Sequence, residues 1–144
     1  MKKRVLVIHG PNINLTGERE KGIYGSDSFE TINREIADCA ESLGFDCEIF
    51  QSNHEGAIID KIHEARLDCD GIVINPGAYT HYSYAIRDCI KAVNIPTIEV
   101  HLSDIKNREA FRKKSVIKDV VMAQIYGKGI RSYFDAIELC LKKK

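Results

Sequence analysis

Residues 71–75 read GIVIN, a run that stays apolar until its last residue. A strand packed on one face alternates apolar and polar side chains, and this one offers nothing suited to water before Asn75. It predicts a strand covered on both faces, as at the centre of a parallel sheet with helices above and below. Outward from it the same pattern recurs. RVLVIH (4–9), FDCEIFQ (45–51), TIEVH (97–101) and VVMAQIYG (120–127) predict four more strands.

Helical periodicity fills the intervals. DSFETINREIADCAESLG (27–44) opens with Asp27 three residues before Glu30, a capping-box spacing. Ile32, Ile36, Cys39/Ala40 and Leu43 then share one face, and Gly44 ends the helix. HEGAIIDKIHEARL (54–67) places Ile58, Ile62 and Ala65 on a stripe, and THYSYAIRDCIKAV (80–93) predicts a helix carrying both His81 and Asp88 before Pro96. NREAFRKK (107–114) predicts a short basic helix. IRSYFDAIELCLKKK (130–144) predicts an amphipathic one whose terminal lysines suit its dipole.

Strand–helix alternation repeated five times, with no linker, repeat or low-complexity segment, predicts one α/β domain over residues 1–144. Five strands favour a flavodoxin-like three-layer sandwich with a parallel sheet in the order 2-1-3-4-5. Its topological switch falls between the first and third strands, and ligands of such sheets bind beyond the strands' carboxyl ends at that point.

Composition narrows the function classes. The chain has 144 residues, 44% hydrophobic and 29% charged, which suits one soluble domain with a sizeable core. Lys+Arg and Asp+Glu both number 21, so net charge recruits neither nucleic acid nor an anionic membrane. The opening MKKRVLVIHGPN has basic residues before an apolar run, but Val5 to Ile8 is too short for a signal peptide and breaks at Gly10-Pro11. No stretch approaches a membrane span. The five cysteines (39, 47, 69, 89 and 140) form no C-x-x-C pair and sit in apolar patterns, which predicts reduced thiols in a cytoplasmic protein. His54-Glu55 and His63-Glu64 each lack a second histidine four residues on, so both read as helix-surface residues and no metal site is expected.

Past the predicted strand ends lie HGPNINLTG, NPGAYTH and HLSD, which bring Asn12, Asn75 and His101 toward the switch point. Asparagine is also an ordinary turn residue and a lone histidine is often structural, so the weight rests on three such loops converging. Glu99 and His101 share a strand face, either as a structural pair or as a carboxylate that sets an imidazole's tautomer and basicity. Arg108 and Arg112, four apart, could grip a carboxylate or form a solvated basic face. GEREKGIYG (17–25) presents Arg19 and Tyr24 on a charged, glycine-hinged loop, where a tyrosine either folds back onto a helix or offers its phenol to a ligand.

No glycine-rich dinucleotide motif follows the first strand. GPNINLTG is neither a P-loop nor a Ser/Thr-rich flavin-phosphate loop, no G-x-S-x-G elbow occurs, and His9 and Asn75 stand where a signalling receiver needs acids. The remaining phenol, histidine, amides and arginines suit proton abstraction and enolate stabilisation.

GPNINLTGEREKGIYG (10–25), NPGAYTHYSYAIRD (75–88) and IEVHLSDIKNREAFRKKS (98–115) resemble three segments of the type II 3-dehydroquinate dehydratases of the shikimate pathway. The resemblance runs from Arg4 to about Leu141. It implies reversible dehydration of 3-dehydroquinate to 3-dehydroshikimate through an enolate, with no cofactor and no metal, in aromatic amino acid biosynthesis or in quinate breakdown. It implies Tyr24 as the base, Arg19 as the group holding it as a phenolate, His101 as the acid, and Asn12 as an enolate stabiliser acting through water. Asn75, His81, Leu102, Ser103 and Arg112 match substrate-binding positions, and Glu99 sits behind His101. Asp88 matches a residue serving a neighbouring subunit in trimers, four of which build a homododecamer. The chain departs from the family's usual residues at Thr16, Lys21, Tyr82, Tyr84 and Ser132, none of them assigned to chemistry.

Overall fold

The computed structural model describes residues 2–18, 28–103 and 109–142. The elements run β1 (Lys3–His9), α1 (Phe29–Ser42), β2 (Phe45–Gln51), α2 (Glu55–Ala65), β3 (Gly71–Asn75), α3 (Tyr84–Val93), β4 (Thr97–His101), α4 (Ala110–Lys113), β5 (Ala123–Tyr126) and α5 (Arg131–Lys142). The five strands form one parallel sheet in the order β2-β1-β3-β4-β5, as expected. His9 pairs with Asn75 across β1 and β3, so these two strands end level at the switch point.

GIVIN is buried throughout because both faces of the sheet are covered. On one face Val5, Val7, Val73, Ile98 and Val100 pack with Ile32 and Ile36 of α1 and with Tyr133 and Ile137 of α5. On the other, Leu6, Ile8, Ile72 and Ile74 meet Ile58 and Ile62 of α2 and Ile86 and Ile90 of α3. Full burial of each such side chain is worth about 2 kcal/mol, so the two layers together fix which face each strand residue takes. Alternation then sends His9 and Asn75 to the α1/α5 face and Glu99 and His101 to the α2/α3 face. The polar groups at the strand ends are thus supplied from both layers.

Four boundaries differ from expectation. The hydroxyl of Ser28 caps α1 by accepting the Thr31 N–H at 3.1 Å, which displaces the expected Asp27–Glu30 box; Asp27 lies outside the described residues. The expected helix over 80–93 divides. Gly77–His81 forms a 3-10 turn, and α3 starts at Tyr84 under Ser83, whose hydroxyl accepts the Ile86 N–H at 3.0 Å. A second serine cap thereby separates His81 from the helix that carries Asp88. The basic helix is one turn, Ala110–Lys113, with Arg108 outside the described residues. The last strand starts only at Ala123, because Lys118–Val120 closes into a 3-10 turn.

Candidate active site

The loops after β1 and β3 are joined through backbone. The Gly10 N–H donates to the Asn75 carbonyl at 2.7 Å, and a Cβ on Gly10 would stand 2.4 Å from the Pro76 oxygen. Only glycine permits that approach. Asn12 adopts the left-handed conformation (φ 69°), donates its N–H to Asn53 Oδ1 at 3.0 Å and is exposed at the surface of this joint.

Asn75 is 3% exposed, and both ends of its amide are held. Its Oδ1 accepts the Gly77 N–H at 3.1 Å, and its Nδ2 donates to the Tyr133 hydroxyl at 3.0 Å. That hydroxyl lies 3.0 Å from His9 Nδ1, whose Nε2 lies 2.8 Å from Asn33 Oδ1. Burial lowers the His9 pKa to about 4, against the opposing hydrogen bond to Asn33. The ring is therefore neutral near pH 7.

On the opposite face His101 Nε2 meets Glu99 Oε2 at 2.6 Å, with Glu99 fully buried. The Ser115 hydroxyl donates to Glu99 Oε1 at 2.9 Å, the Gln124 amide donates to the same oxygen at 3.0 Å, and the Thr80 hydroxyl bonds Oε2. Burial pushes this carboxyl up, but the His101, Thr80 and Ser115 hydrogen bonds outweigh it and hold the pKa below the ordinary value. A carboxylate so fixed accepts a hydrogen bond from the Nε2–H of His101 and leaves Nδ1 as the ring nitrogen free to exchange a proton.

Thr80 also ties the β3 loop to the segment after α4, since its carbonyl accepts the Val116 N–H at 2.7 Å. Next to it the Nδ1–H of His81 donates to the Lys114 carbonyl at 2.7 Å. Burial lowers the His81 pKa, and the nearby charges of His101 and Arg112 add to the shift. The carbonyls of Leu102 and Ser103 each accept an N–H, from Gly129 and Gly127, both at 3.1 Å. Arg112 lies over the Phe111 ring at 4.7 Å, with its Nε 3.3 Å from Glu109 Oε1, an ion-pair distance without hydrogen-bond geometry.

The fold thus gathers Asn12, Asn75, His81, Glu99, His101, Leu102, Ser103 and Arg112 around one end of the sheet. Asp88 stands apart, exposed on α3, and among the described residues no hydrogen bond or ion pair ties it to these loops. Arg19 and Tyr24 lie outside the described residues. Sequence reasoning missed His9, Asn33, Tyr133, Thr80, Ser115 and Gln124. Their only signal was position: His9 closes a strand, and Thr80 sits within NPGAYTH.

Among the described residues no group of three His, Cys, Asp or Glu side chains is disposed to hold a metal ion, and no helix is long and apolar enough to cross a membrane. The thiols of all five cysteines are free, with Cys89 and Cys140 buried.

The family model described as dehydroquinase class II matches residues 3–141. The 3-dehydroquinate dehydratase of Caldicellulosiruptor bescii is 63% identical, over 94% of this chain and 94% of its own. That of Thermotoga maritima is 51% identical, over 97% and 96%. The crystal structure of a type II dehydroquinase from Butyrivibrio crossotus superposes with a TM-score of 0.95 at 51% identity, covering 97% of this chain and 98% of that one.

Proposed function

The chain belongs to the class II dehydroquinase family, and from that premise we propose that it dehydrates 3-dehydroquinate to 3-dehydroshikimate through an enolate. A base removes a proton from the carbon beside the ketone, the electron pair moves onto the carbonyl oxygen, and its return expels the hydroxyl, which leaves as water after taking a proton.

The observation that carries this reading is the buried Glu99–His101 pair. With Nε2 committed to Glu99 at 2.6 Å, Nδ1 of His101 is the nitrogen left to deliver the proton to the departing hydroxyl. The carboxylate also fixes the orientation of the ring, so that this nitrogen is held toward the substrate. Tyr24 serves as the base, with Arg19 holding the phenol ionised. A free tyrosine has a pKa of about 10, and bringing it near neutrality takes about 4 kcal/mol, which a guanidinium close by in a water-poor pocket can supply. Asn12 steadies the enolate through a water.

Asn75, His81, Arg112 and the Leu102–Ser103 segment bind the substrate's hydroxyls and carboxylate. In His81 the Nδ1–H is spent on Lys114, so a neutral ring turns an accepting Nε2 toward a substrate hydroxyl. The reaction uses neither cofactor nor metal.

Asp88 acts in the site of a neighbouring subunit, in trimers that build a homododecamer. Its exposure on α3 supports this, as do Tyr82 and Tyr84 beside it, 59% and 58% exposed, large apolar rings that an interface would cover. Free thiols support a cytoplasmic setting.

The direct test is ultraviolet absorbance of the conjugated enone formed from 3-dehydroquinate. The purified protein should form it with a metal chelator present, and borohydride added with substrate should not inactivate it, because no lysine imine forms. Loss of activity under either treatment overturns the mechanism.

A further inference from the structure

We propose that Tyr133 is a positioning residue for the substrate: through a one-directional hydrogen-bond chain from Asn33 and His9, its hydroxyl fixes which way the Asn75 amide points. This rests on the reading that Asn75 binds the substrate.

The direction follows from what each atom can do. Asn33 Oδ1 only accepts, so His9 Nε2, 2.8 Å away, carries the ring's hydrogen. A neutral imidazole has one N–H, which leaves Nδ1 as an acceptor, and burial keeps this ring neutral. The Tyr133 hydroxyl at 3.0 Å must therefore donate to Nδ1. Its single hydrogen is then spent, and its oxygen can only accept from the Asn75 amide at 3.0 Å, which selects Nδ2. The Gly77 N–H can only donate, which independently selects Oδ1 for the other end at 3.1 Å.

The two middle links are sealed from water, while the ends of the chain at Asn33 and Gly77 are half-buried. His9 and Tyr133 are 0% exposed, and the His9 ring is flanked by Phe29 at 5.0 Å and by Tyr133 itself at 5.4 Å. An exposed carboxamide can rotate and exchange its donor and acceptor ends at little cost. Here rotation would set Nδ2 against the Gly77 N–H and Oδ1 against an oxygen whose hydrogen is committed elsewhere. Each mismatch would leave a buried polar group unpaired. Asn75 therefore holds one remaining Nδ2–H in a set direction, as a ligand hydroxyl or carboxylate would require. His9 and Tyr133 come from β1 and α5, so the chain couples the α1/α5 layer to the site.

The test is a double-mutant cycle in steady-state kinetics with 3-dehydroquinate, with circular dichroism and thermal melting on every variant. Tyr133→Phe should raise KM about tenfold, the effect of one misplaced charged or polar contact, with a smaller change in kcat. In an Asn75→Ala background the same substitution should change KM by less than about twofold, because the group it positions is gone. A merely structural tyrosine would instead shift the melting temperature and act equally in both backgrounds. Asn33→Ala, at a half-buried helix position, releases the far end of the chain without opening the core. It should raise KM about threefold and likewise lose its effect beside Asn75→Ala, and it carries the cycle should Tyr133→Phe fail to fold. An undiminished effect in the Asn75→Ala background, or an unchanged KM in Tyr133→Phe, overturns the positioning role alone. An Asn75→Ala enzyme with wild-type KM overturns both that role and the substrate-binding reading beneath it.

Discussion

Glu99 Oε2 and His101 Nε2 lie 2.6 Å apart at the end of β4, and every remaining acceptor site of the Glu99 carboxylate faces a donor from a different segment. Thr80 comes from the β3 loop, Ser115 from the stretch after α4 and Gln124 from β5. The carboxylate is therefore both the partner of the proposed acid and a junction for the loops around it.

Glu99→Gln keeps the side chain's shape, removes its charge and turns one of its two acceptor ends into an NH2 that faces donors. The His101 ring loses its charged partner, so kcat should fall by roughly 10²-fold, within the range of a general acid–base contribution. The pH dependence also changes. A carboxyl held below its ordinary pKa contributes stability above the unfolded value and loses it as pH falls through the folded one. Wild-type stability should thus decline as the pH drops below about 4, and the glutamine variant should decline less over the same interval. Urea midpoints for the two proteins at neutral and acid pH measure the difference; parallel declines would mean that Glu99 is not held ionised.

His9 makes the opposite kind of demand, for neutrality. Its folded pKa of about 4 lies below the ordinary 6.5. As pH falls from 6.5 toward 4 the unfolded chain takes up a proton that the folded chain refuses, so stability is complete above 6.5 and erodes below it. The loss over that window should be roughly 3 kcal/mol. His9→Asn should lower stability at pH 7, where partners of the ring go unpaired, and flatten the slope between pH 7 and 4.5. His81 is also lowered but remains in both proteins, so its share cancels. An unchanged slope in the variant would show that the His9 ring titrates normally.

The sheet was legible because its signals are local. GIVIN announces a strand covered twice, and the helices between strands leave one strand order as the simplest arrangement. The site was legible as far as residue type marks a role, so Asn75, His101 and Glu99 could be named from strand ends alone. The groups that hold them could not. Thr80, Ser115 and Gln124 are unremarkable polar residues until three distant segments meet at one carboxylate. Tyr133 reads as the apolar face of an amphipathic helix, and its hydroxyl matters only because β1 and β3 end level above it. Cap competition misled the boundaries: Asp27 and Ser28 are adjacent candidates, and Ser83 starts a helix that periodicity alone runs through.

Gly10 tests the joint between the first two loops. A methyl group there would meet the Pro76 oxygen at 2.4 Å and the Asn75 oxygen at 3.1 Å, both backbone atoms that cannot swing aside. Gly10→Ala should destabilise the fold by about 1–3 kcal/mol and push Asn75 from its place, raising KM as well. Gly56, on α2, has nothing within 4 Å of such a methyl, so Gly56→Ala is the control and should be neutral or slightly stabilising. Equal melting temperatures for the two variants would remove the close approach as an explanation.

Tyr24 and Arg19 are proposed as one unit. Tyr24→Phe removes a single hydroxyl, so melting should barely move while kcat falls by roughly 10²–10⁴-fold. Arg19→Ala should be similarly damaging, because the phenol returns toward its free pKa, and Arg19→Lys should recover only part, since an ammonium lacks the planar fork. The double variant should be scarcely worse than either single one. Losses that add in the logarithm of the rate would show independent roles, and an active Tyr24→Phe enzyme would mean another residue is the base.

Asp88 makes a prediction about two chains at once. It is exposed on α3, and Ser83 begins that helix anew after the turn bearing His81, so among the described residues no hydrogen bond or ion pair directs Asp88 toward the residues gathered at the strand ends. If it serves a neighbour's site, Asp88→Ala and His101→Ala should each inactivate the enzyme while lying in different functional units. Dissociating the two variants, mixing them in equal amounts and reassembling them should then restore activity. A working site needs its own intact His101 beside a neighbour's intact Asp88, a combination that occurs in about a quarter of the sites of a random ring. Light scattering should report twelve chains before and after, or three where the outer contacts are weak. Recovery near a quarter of wild-type kcat per chain supports the shared site. Reassembly to the same mass without recovery places Asp88 in its own chain's chemistry, and a fully active monomer removes the need for a neighbour altogether.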